Sequence, residues 1–375
     1  MTQHTPSPNP PRRAARFLGV VLALLAGCAA LGKETPFSEP VSTSGVGPFR
    51  RLSSDETRFR GAALSLGEVG LDGASWAAGS LFYAAGAVIS PLPTRDVDLP
   101  ARALDPGQFE PMRIFRSSVE EQFGFDTGSV VLDASQAWEG GFVTQPFAFE
   151  MEDGSIRLYY AGAGGIGLAT APDVGGTFSR AGDGLVLAND LGVQGGALRS
   201  PTVTVLDGIY YLYADDGTDI WVATSVDGLT FTLLDTDDAA AGTNPLRIPD
   251  PIDDDDPREL AHVSPAALVA TSPTGRTTLR LYVECQQEPE NGNEDQRVVA
   301  ALASLDGVTF ERARLPAQEA RDAPGQPAIR PFHEGVSEAL MYVTVARGTD
   351  PQLRALQVAV DPGRASFVPE EEATP

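Results

Sequence analysis

Two adjacent carboxylates of this 375-residue chain could take part in proton transfer. Asp215 and Asp216 follow the Tyr-rich run 210–214, where a strand is predicted to end. Two carboxyl groups that share a partly dry site raise the pKa of one of them, as a general acid requires. Because Gly217 follows directly, a solvated turn without chemistry is the alternative interpretation.

Other residues suit ligand binding better than proton transfer. Trp138 offers an indole face on which the C–H face of a sugar can stack, or it packs as an ordinary core residue. His262 could hydrogen-bond a ligand or hold a metal, although a lone histidine is more often structural. The sequence shows no Cys/His cluster with zinc-finger spacing, and the consecutive aspartates 253–256 are poorly spaced for calcium. We therefore predict no metal site.

A repeated pattern must position these residues. Each copy has an apolar strand, a Leu/Tyr-rich strand and an Asp-Gly or Asp-Pro-Gly turn running into a Phe, with copies starting at 61, 146, 201, 265 and 327. A period of about 50–80 residues with about four strands matches one propeller blade. We predict an all-β fold, a five-bladed β-propeller of four-stranded antiparallel blades. A sandwich or a parallel β-solenoid has equal strand content and is the alternative.

The propeller geometry selects candidate site residues. The first strand of a blade lines the channel and the second runs antiparallel to it, so the start of one and the end of the other share a mouth. The predicted starts of first strands are Arg60, Gln145, Ser200, Ser264 and Gln326. Ends of second strands and entry loops add Trp138, Glu139, Arg199, Asp215, Asp216, His262 and Glu284.

The segments 138–146, 157–162 and 166–170 resemble the five-bladed propeller superfamily of arabinanases, invertases and levansucrases. The blade pattern covers nearly all of residues 60–370. The resemblance implies cleavage or transfer of sugars at the channel mouth by inward carboxylates. The pair Glu284-Cys285 resembles the surroundings of the acid/base in the invertase-like enzymes. The turns 225–231 and 304–310 resemble the Asp-boxes of other propellers, whose role is structural.

The chain departs from this superfamily at the catalytic positions. Where the family has Asp-Pro, this sequence has Gln or Ser before Pro146, Pro201, Pro265 and Pro327. Neither side chain can replace a carboxylate in glycoside hydrolysis, which needs two carboxyl groups about 5–5.5 Å or about 6.5–9.5 Å apart. Glu284 remains the candidate general acid, or else it is a rim carboxylate paired with an arginine. The candidate partners are Asp215, Asp216, Asp133 and Glu139 for catalysis, and Arg199 and Arg280 for pairing.

The N-terminus resembles a bacterial lipoprotein signal. Three arginines precede the apolar run 17–24, and Leu-Ala-Gly leads to Cys28. The resemblance implies cleavage before Cys28, acylation of that cysteine and export to the outer membrane. A membrane anchor is the alternative, but about eleven apolar residues are too few to span a bilayer. The expected organisation is a signal peptide (1–27), a lipidated cysteine with a flexible tether (28–57), the propeller (58–370) and a tail (371–375).

The net charge and the cysteine content limit the kinds of partner that the protein is expected to bind. A net charge of −24 repels nucleic acid and anionic headgroups, so the membrane is expected to be reached only through the lipid. Cys28 and Cys285 are the only cysteines, and lipidation of Cys28 leaves no disulfide. We expect no cofactor, and an axial metal ion has no support in the sequence. The propeller is expected to be monomeric.

Three functions remain. The favoured hypothesis is an envelope lipoprotein whose propeller binds a glycan or another polyhydroxylated ligand through the neutral polar residues of the mouth. The second is an active glycoside hydrolase with Glu284 as general acid. The third is a ligand-free scaffold that docks protein partners on its acidic face.

Overall fold

The computed structural model describes the chain in segments. These are residues 49–51, 62–64, 70–86, 112–118, 120–121, 124–189, 197–234, 244–251, 257–271, 277–288, 296–313, 316–317, 325–331, 339–347 and 350–360. Several predicted features lie outside these segments: the signal peptide, Cys28, Arg60, the aspartates 253–256 and the tail 371–375. Within the described segments, no helix is long and apolar enough to cross a membrane.

The described segments are almost entirely β-strands. The first twelve are β1 (Arg50–Arg51), β2 (Ala62–Leu64), β3 (Gly70–Ala77), β4 (Ser80–Gly86), β5 (Arg113–Ser117), β6 (Glu120–Glu121), β7 (Gly124–Phe125), β8 (Ser129–Leu132), β9 (Thr144–Glu150), β10 (Ile156–Gly162), β11 (Gly165–Ala171) and β12 (Ser179–Ala188). The remainder are β13 (Arg199–Leu206), β14 (Ile209–Asp215), β15 (Ile220–Ser225), β16 (Thr232–Leu233), β17 (Glu259–Thr271), β18 (Thr277–Gln287), β19 (Arg297–Ser304), β20 (Phe310–Arg312), β21 (Gly325–Pro331), β22 (Ala339–Arg347) and β23 (Asp350–Val360). One short 3-10 helix spans Ala137–Glu139.

The strands form five sheets. Four are four-stranded and antiparallel, in the orders β3-β4-β5-β8, β9-β10-β11-β12, β13-β14-β15-β16 and β17-β18-β19-β20. The fifth has seven strands, in the order β21-β22-β23-β2-β7-β6, with β1 also pairing β23. The predicted all-β propeller with four-stranded antiparallel blades is confirmed for these four blades. The fifth sheet is larger than the predicted four-stranded blade because the N-terminal strands β1, β2, β6 and β7 join it.

The burial of the strands shows that the sheets are covered on both faces. Strands β10 and β19 are buried along nearly their whole length, as expected when both faces of a sheet are covered by neighbours. Five apolar clusters lie between consecutive sheets, and one of them joins Leu64 and Ala328 of the seven-stranded sheet to Leu71 and Tyr83 of the first four-stranded sheet. The clusters thus connect the five sheets in a closed cycle.

The first repeat differs from its prediction. Residues 61–66 were expected to form the first strand of the first blade, but Ala62–Leu64 pairs with β23 instead. Strand β3 is the innermost strand of that blade, and it pairs with β4. Because the first copy carries glycine and alanine, rather than a polar residue and proline, at the strand start, the repeat pattern did not reveal it.

The folded part also begins earlier than the predicted boundary at residue 58. Phe49 is 5% exposed, packs edge-on against Tyr282 and donates its backbone N–H to the carbonyl of Ala317 (2.7 Å). Arg50 and Arg51 pair with β23. Residues 49–51, assigned to the tether from composition, are therefore part of the packed fold.

The Asp-box turns are structural, as predicted. Asp227 Oδ1 accepts the N–H of Leu229, and Asp306 Oδ1 accepts those of Val308 and Thr309. Gly228 and Gly307 have φ of 71° and 76°. Their carbonyls accept the hydroxyls of Tyr159 and Tyr213, which belong to the preceding sheets (2.8 and 2.6 Å). Each turn therefore joins two neighbouring blades.

Candidate functional site

A residue with left-handed backbone marks each innermost strand. Their φ values are 82° for Gly73, 49° for Gln145, 51° for Ser200, 52° for Ser264 and 44° for Gln326. A shift in strand register accompanies each of these positions, as expected for a β-bulge. Left-handed backbone costs a non-glycine residue about 1–2 kcal/mol, so the surrounding contacts must hold these four residues in place.

The five residues line one central cavity. It is open to solvent, has a volume of about 50 Å³ and continues along the inner strands past Trp76, Phe147 and Ile329. The prolines that follow the four non-glycine residues also line it, with several alanines. The structure thus brings the predicted residues Gln145, Ser200, Ser264 and Gln326 to a common opening. Their role in binding stays a prediction.

A belt of side-chain-to-backbone hydrogen bonds joins neighbouring sheets at this level. The acceptors are Gln145 Oε1 for the N–H of Ser200 (3.0 Å), Asp215 Oδ2 for Ser264 (3.0 Å), Glu284 Oε2 for Gln326 (2.8 Å) and Gln326 Oε1 for Gly73 (3.1 Å). In each case the donor lies on the sheet that follows the acceptor, and Gln326 closes the series back to the first blade. These N–H groups belong to the left-handed residues, so the belt stabilises the bulges.

Asp72 completes the belt and was missed from the sequence. It is 8% exposed and accepts hydrogen bonds from Thr144 Oγ1 (2.7 Å), Gln145 Nε2 (3.2 Å) and Gln326 Nε2 (2.5 Å). One carboxylate therefore binds both glutamines of the ring. The available signal was Asp72-Gly73 itself, since a glycine tolerates the left-handed backbone that a polar residue adopts in the other copies.

Asp215 and Glu284 are fully buried and fully engaged. Asp215 Oδ1 accepts from Arg199 Nε (2.9 Å) and from the N–H of Gly217 (2.9 Å), in addition to the Ser264 contact. Glu284 Oε1 accepts from Arg297 Nη1 (2.8 Å). The arginine partner expected for Glu284 was Arg199 or Arg280; the structure shows an ion pair between Arg297 and Glu284 and another between Arg199 and Asp215.

The electrostatics of the mouth centre on Arg199. Burial lowers the pKa of this guanidinium, but the carboxylates of Asp215, Asp72 and Glu284 outweigh burial and raise it. Complete burial raises the pKa of Asp215, and its contacts with Arg199 and Ser264 oppose that shift. Three carboxylates from three different sheets thus act electrostatically on one arginine, and Asp215 is in direct contact with it.

Asp216 forms a turn, but not a solvated one. It is 8% exposed, and its Oδ1 accepts the N–H groups of Thr218 and Asp219 (both 2.9 Å). This arrangement orders the connection between β14 and β15. The carboxylate of Asp216 therefore binds the backbone of its own loop.

Trp138, Glu139 and His262 do not line the cavity. Trp138 stacks on Tyr160 (ring centroids 5.8 Å apart) and donates from Nε1 to the carbonyl of Asp183 (2.7 Å). Glu139, fully buried, accepts from Arg180 Nε (2.6 Å) and Tyr160 OH (2.8 Å) through one oxygen, and from two backbone N–H groups through the other. The imidazole Nε2 of His262 lies 2.9 Å from Oε2 of Glu259.

Comparison with known proteins adds the fold context. No protein-family model matches the chain, and no curated protein matches it. Among solved structures, the chain is similar to BT0996 in its complex with RGII (TM-score 0.53, 10% identity, 84% of this protein and 91% of that one). It is also similar to the catalytic domain of the GH62 α-L-arabinofuranosidase of Coprinopsis cinerea (TM-score 0.50, 11% identity, 85% and 96%). At these identities the likeness shows the fold alone.

Proposed function

We propose that this protein binds a glycan or another polyhydroxylated ligand in the central channel and does not hydrolyse it. The channel offers neutral polar groups at the ring of left-handed residues and an apolar wall with Trp76 and Phe147. Every described residue that lines it is uncharged. A few polar groups on an apolar, partly aromatic surface are the usual means of recognising a sugar ring. The carbohydrate-active enzymes among the similar structures support the same ligand class.

The state of the carboxylates is the observation that supports binding without hydrolysis. A general acid must place its proton within hydrogen-bond reach of the leaving group. Both oxygens of Asp215 and both of Glu284 accept hydrogen bonds from arginines or from the backbone of a neighbouring sheet. Either residue would have to give up a contact with an arginine of its own sheet or with the backbone of the next sheet to act on a substrate.

A fifth blade is part of this proposal. We propose that β21, β22, β23 and β2 act as a four-stranded blade within the seven-stranded sheet. The closed cycle of apolar clusters and the Gln326–Gly73 hydrogen bond support this arrangement. A ring of five innermost strands then provides the channel, one strand from each sheet.

A blocked channel tests the binding proposal. Ala74 lines the cavity on β3, so Ala74→Trp should fill it, whereas Thr232→Trp on the outer strand β16 adds the same side chain to the exposed edge of a blade. In a screen of neutral oligosaccharides, a ligand should raise the thermal unfolding midpoint of the wild type and of Thr232→Trp, but not of Ala74→Trp. At 100 times Kd the stabilisation should be about 2.7 kcal/mol. A shift that persists in Ala74→Trp would place the ligand elsewhere.

Hydrolysis is the second candidate, favoured by the charge interactions of Asp72, Asp215 and Glu284 with Arg199 and by the raised pKa of Asp215. Turnover of aryl arabinosides, xylosides or fructosides that disappears in Glu284→Gln, with the variant still folded, would establish it and overturn the proposal. We expect no turnover. If neither a ligand nor turnover is found and an envelope protein copurifies, the scaffold hypothesis gains support.

We also propose that Cys28 carries the lipid that holds the protein at the outer membrane, with the propeller exported as a monomer. The lipoprotein-like leader supports the proposal. Wild-type protein should fractionate with membranes, whereas Cys28→Ser should remain in the soluble fraction at the same abundance. Membrane association that survives Cys28→Ser would exclude lipid anchoring at this residue.

A further inference from the structure

We propose that Glu259, His262 and Cys285 form a binding site for a divalent transition-metal ion, with zinc the ion that their chemistry fits best. A carboxylate oxygen, an imidazole nitrogen and the Cys285 sulfur all lie within 4.8 Å of one another. The three residues lie on the paired strands β17 and β18, outside the cavity of the proposed glycan site. The inference is independent of the proposed function.

Strand register brings the three ligands together. His262 and Cys285 are direct partners across the antiparallel pair β17–β18. Glu259 is three residues from His262, and in a regular strand such residues point to opposite faces. The register shifts between Glu259 and Ala261, and a bulge of this kind re-aims a side chain. Glu259 therefore reaches the side of the sheet that carries His262 and Cys285.

The ligand types select the class of metal. Thiolate and imidazole favour zinc and related transition metals over calcium and magnesium, which prefer oxygen ligands alone. In a tetrahedral zinc site the ligand atoms are about 3.3–3.8 Å apart. The 2.9 Å contact between His262 and Glu259 would widen by a few tenths of an ångström. The His262 side chain is 22% exposed while that of Glu259 is 4% exposed, so a fourth position can open to solvent on the histidine side.

Arg312 holds the carboxylate in place. Its Nη1 and Nη2 donate to Oε2 and Oε1 of Glu259 (2.8 and 2.6 Å), and Nη1 also donates to the carbonyl of Pro249 (3.1 Å). Hydrogen bonds to a ligating carboxylate orient it and tune the metal. The guanidinium repels a cation, and the Cys285 thiolate offsets this repulsion once it forms.

Metal binding must release a proton. Burial raises the pKa of Cys285, so the metal-free protein keeps its S–H. The step is M²⁺ + Cys–SH → M–S–Cys⁺ + H⁺, in which the S–H electron pair forms the bond to the metal. Without a metal, Arg312, Glu259 and His262 would form only an ion-pair network that stabilises the sheet.

Cobalt(II) titration of the full chain distinguishes these two roles, because a Co²⁺–thiolate bond gives a charge-transfer absorption that an ion-pair network cannot produce. Cys28→Ser is the matched control, since it removes the other cysteine. Cys28→Ser should bind one Co²⁺ per chain with the band, release one proton per ion and lose the band when Zn²⁺ is added. The band should be absent when Cys285→Ser is added to Cys28→Ser, and adding His262→Asn instead should weaken binding at least about tenfold.

Specific results would overturn the proposed metal site. Folded Cys28→Ser that shows no charge-transfer band at millimolar Co²⁺ overturns the proposal. So does a band that is unchanged when Cys285→Ser is added to Cys28→Ser. Cys285 is fully buried, so its serine variant could fail to fold. In that case His262→Asn is the test, because the His262 side chain is partly exposed. An affinity for Co²⁺ that is unchanged in His262→Asn rejects the site.

Discussion

Trp138, Glu139 and His262 make contacts within the fold and do not line the central cavity. Glu139 illustrates this, because it was expected to bind ligand or to be the catalytic partner of Glu284, yet its carboxylate accepts four hydrogen bonds from within the fold. Its ion pair with Arg180 has side-chain exposures of 0% and 11%. A buried carboxylate with this many donors stabilises its surroundings only while it is charged, because its partner would otherwise be left uncompensated.

Glu139→Gln should therefore lower the free energy of unfolding by about 3 kcal/mol or more. Asp133→Asn is the matched control, because its pair with Arg113 is 59% and 37% exposed and should contribute no more than about 1 kcal/mol. Urea denaturation measures both. Equal effects of the two substitutions would mean that burial does not decide the role of Glu139.

At the scale of the element, the bulged innermost strands decide the architecture of the channel. Each places one left-handed residue where its N–H meets the neighbouring sheet or where backbones approach closely. Gly73 shows the closest approach: a Cβ built there would lie 2.8 Å from Cα of Gln145 on β9. Glycine is therefore required at this position for space as well as for backbone conformation.

Alanine substitutions at two glycines separate the cost of left-handed backbone from the cost of close packing. Gly79, in the turn between β3 and β4, has φ of 76° and open space around its Cβ direction. Gly79→Ala should cost only the left-handed conformation, about 1 kcal/mol. Gly73→Ala has a similar φ and an added clash between two blades, so it should cost at least about 2 kcal/mol. Chemical denaturation compares them, and similar costs would contradict close packing of β3 on β9.

At the scale of the whole molecule, the two ends of the folded region meet in one sheet. Strands β1 and β2 pair with β23, and Phe49 packs beside Tyr282 of the preceding sheet. The apolar cluster with Leu64, Leu71 and Phe125 then connects this sheet to the first blade. Closure by segments distant in sequence makes the stability of every blade depend on the N-terminal strands.

Two deletions test this dependence. Removing residues 1–47 leaves β1, β2 and Phe49 in place and should leave the thermal midpoint within about 2 °C of the full chain. Removing residues 1–66 eliminates all three and should lower the midpoint by at least about 5 °C, because burial of one Phe alone stabilises by about 1.5–3 kcal/mol. Calorimetry measures both midpoints. Equal midpoints would show that closure by β1 and β2 contributes little.

The prediction of the fold was good where it depended on local chemistry. Gly, Asp and Pro at fixed offsets determine turns, so four repeats could be read directly, and the predicted strand starts at Gln145, Ser200 and Gln326 are within one residue of the observed ones. The predicted start at Ser264 was wrong, because that strand begins at Glu259. The first repeat lacks these signals, and Asp72 was missed with it. The failure has a physical cause: Gly73 satisfies the same backbone requirement without the polar side chain used to find the other copies.

The sequence by itself determined an all-β chain of repeated four-stranded units, because strand period and turn chemistry are encoded within a few neighbouring residues. Only the tertiary structure decided which side chains meet across sheets. The pairing of Glu284 with Arg297, the Asp72 contacts to two glutamines and the convergence of Glu259 with Cys285 all depend on register and bulges. Those are set by packing between sheets, which joins residues far apart in the chain and leaves no local signature.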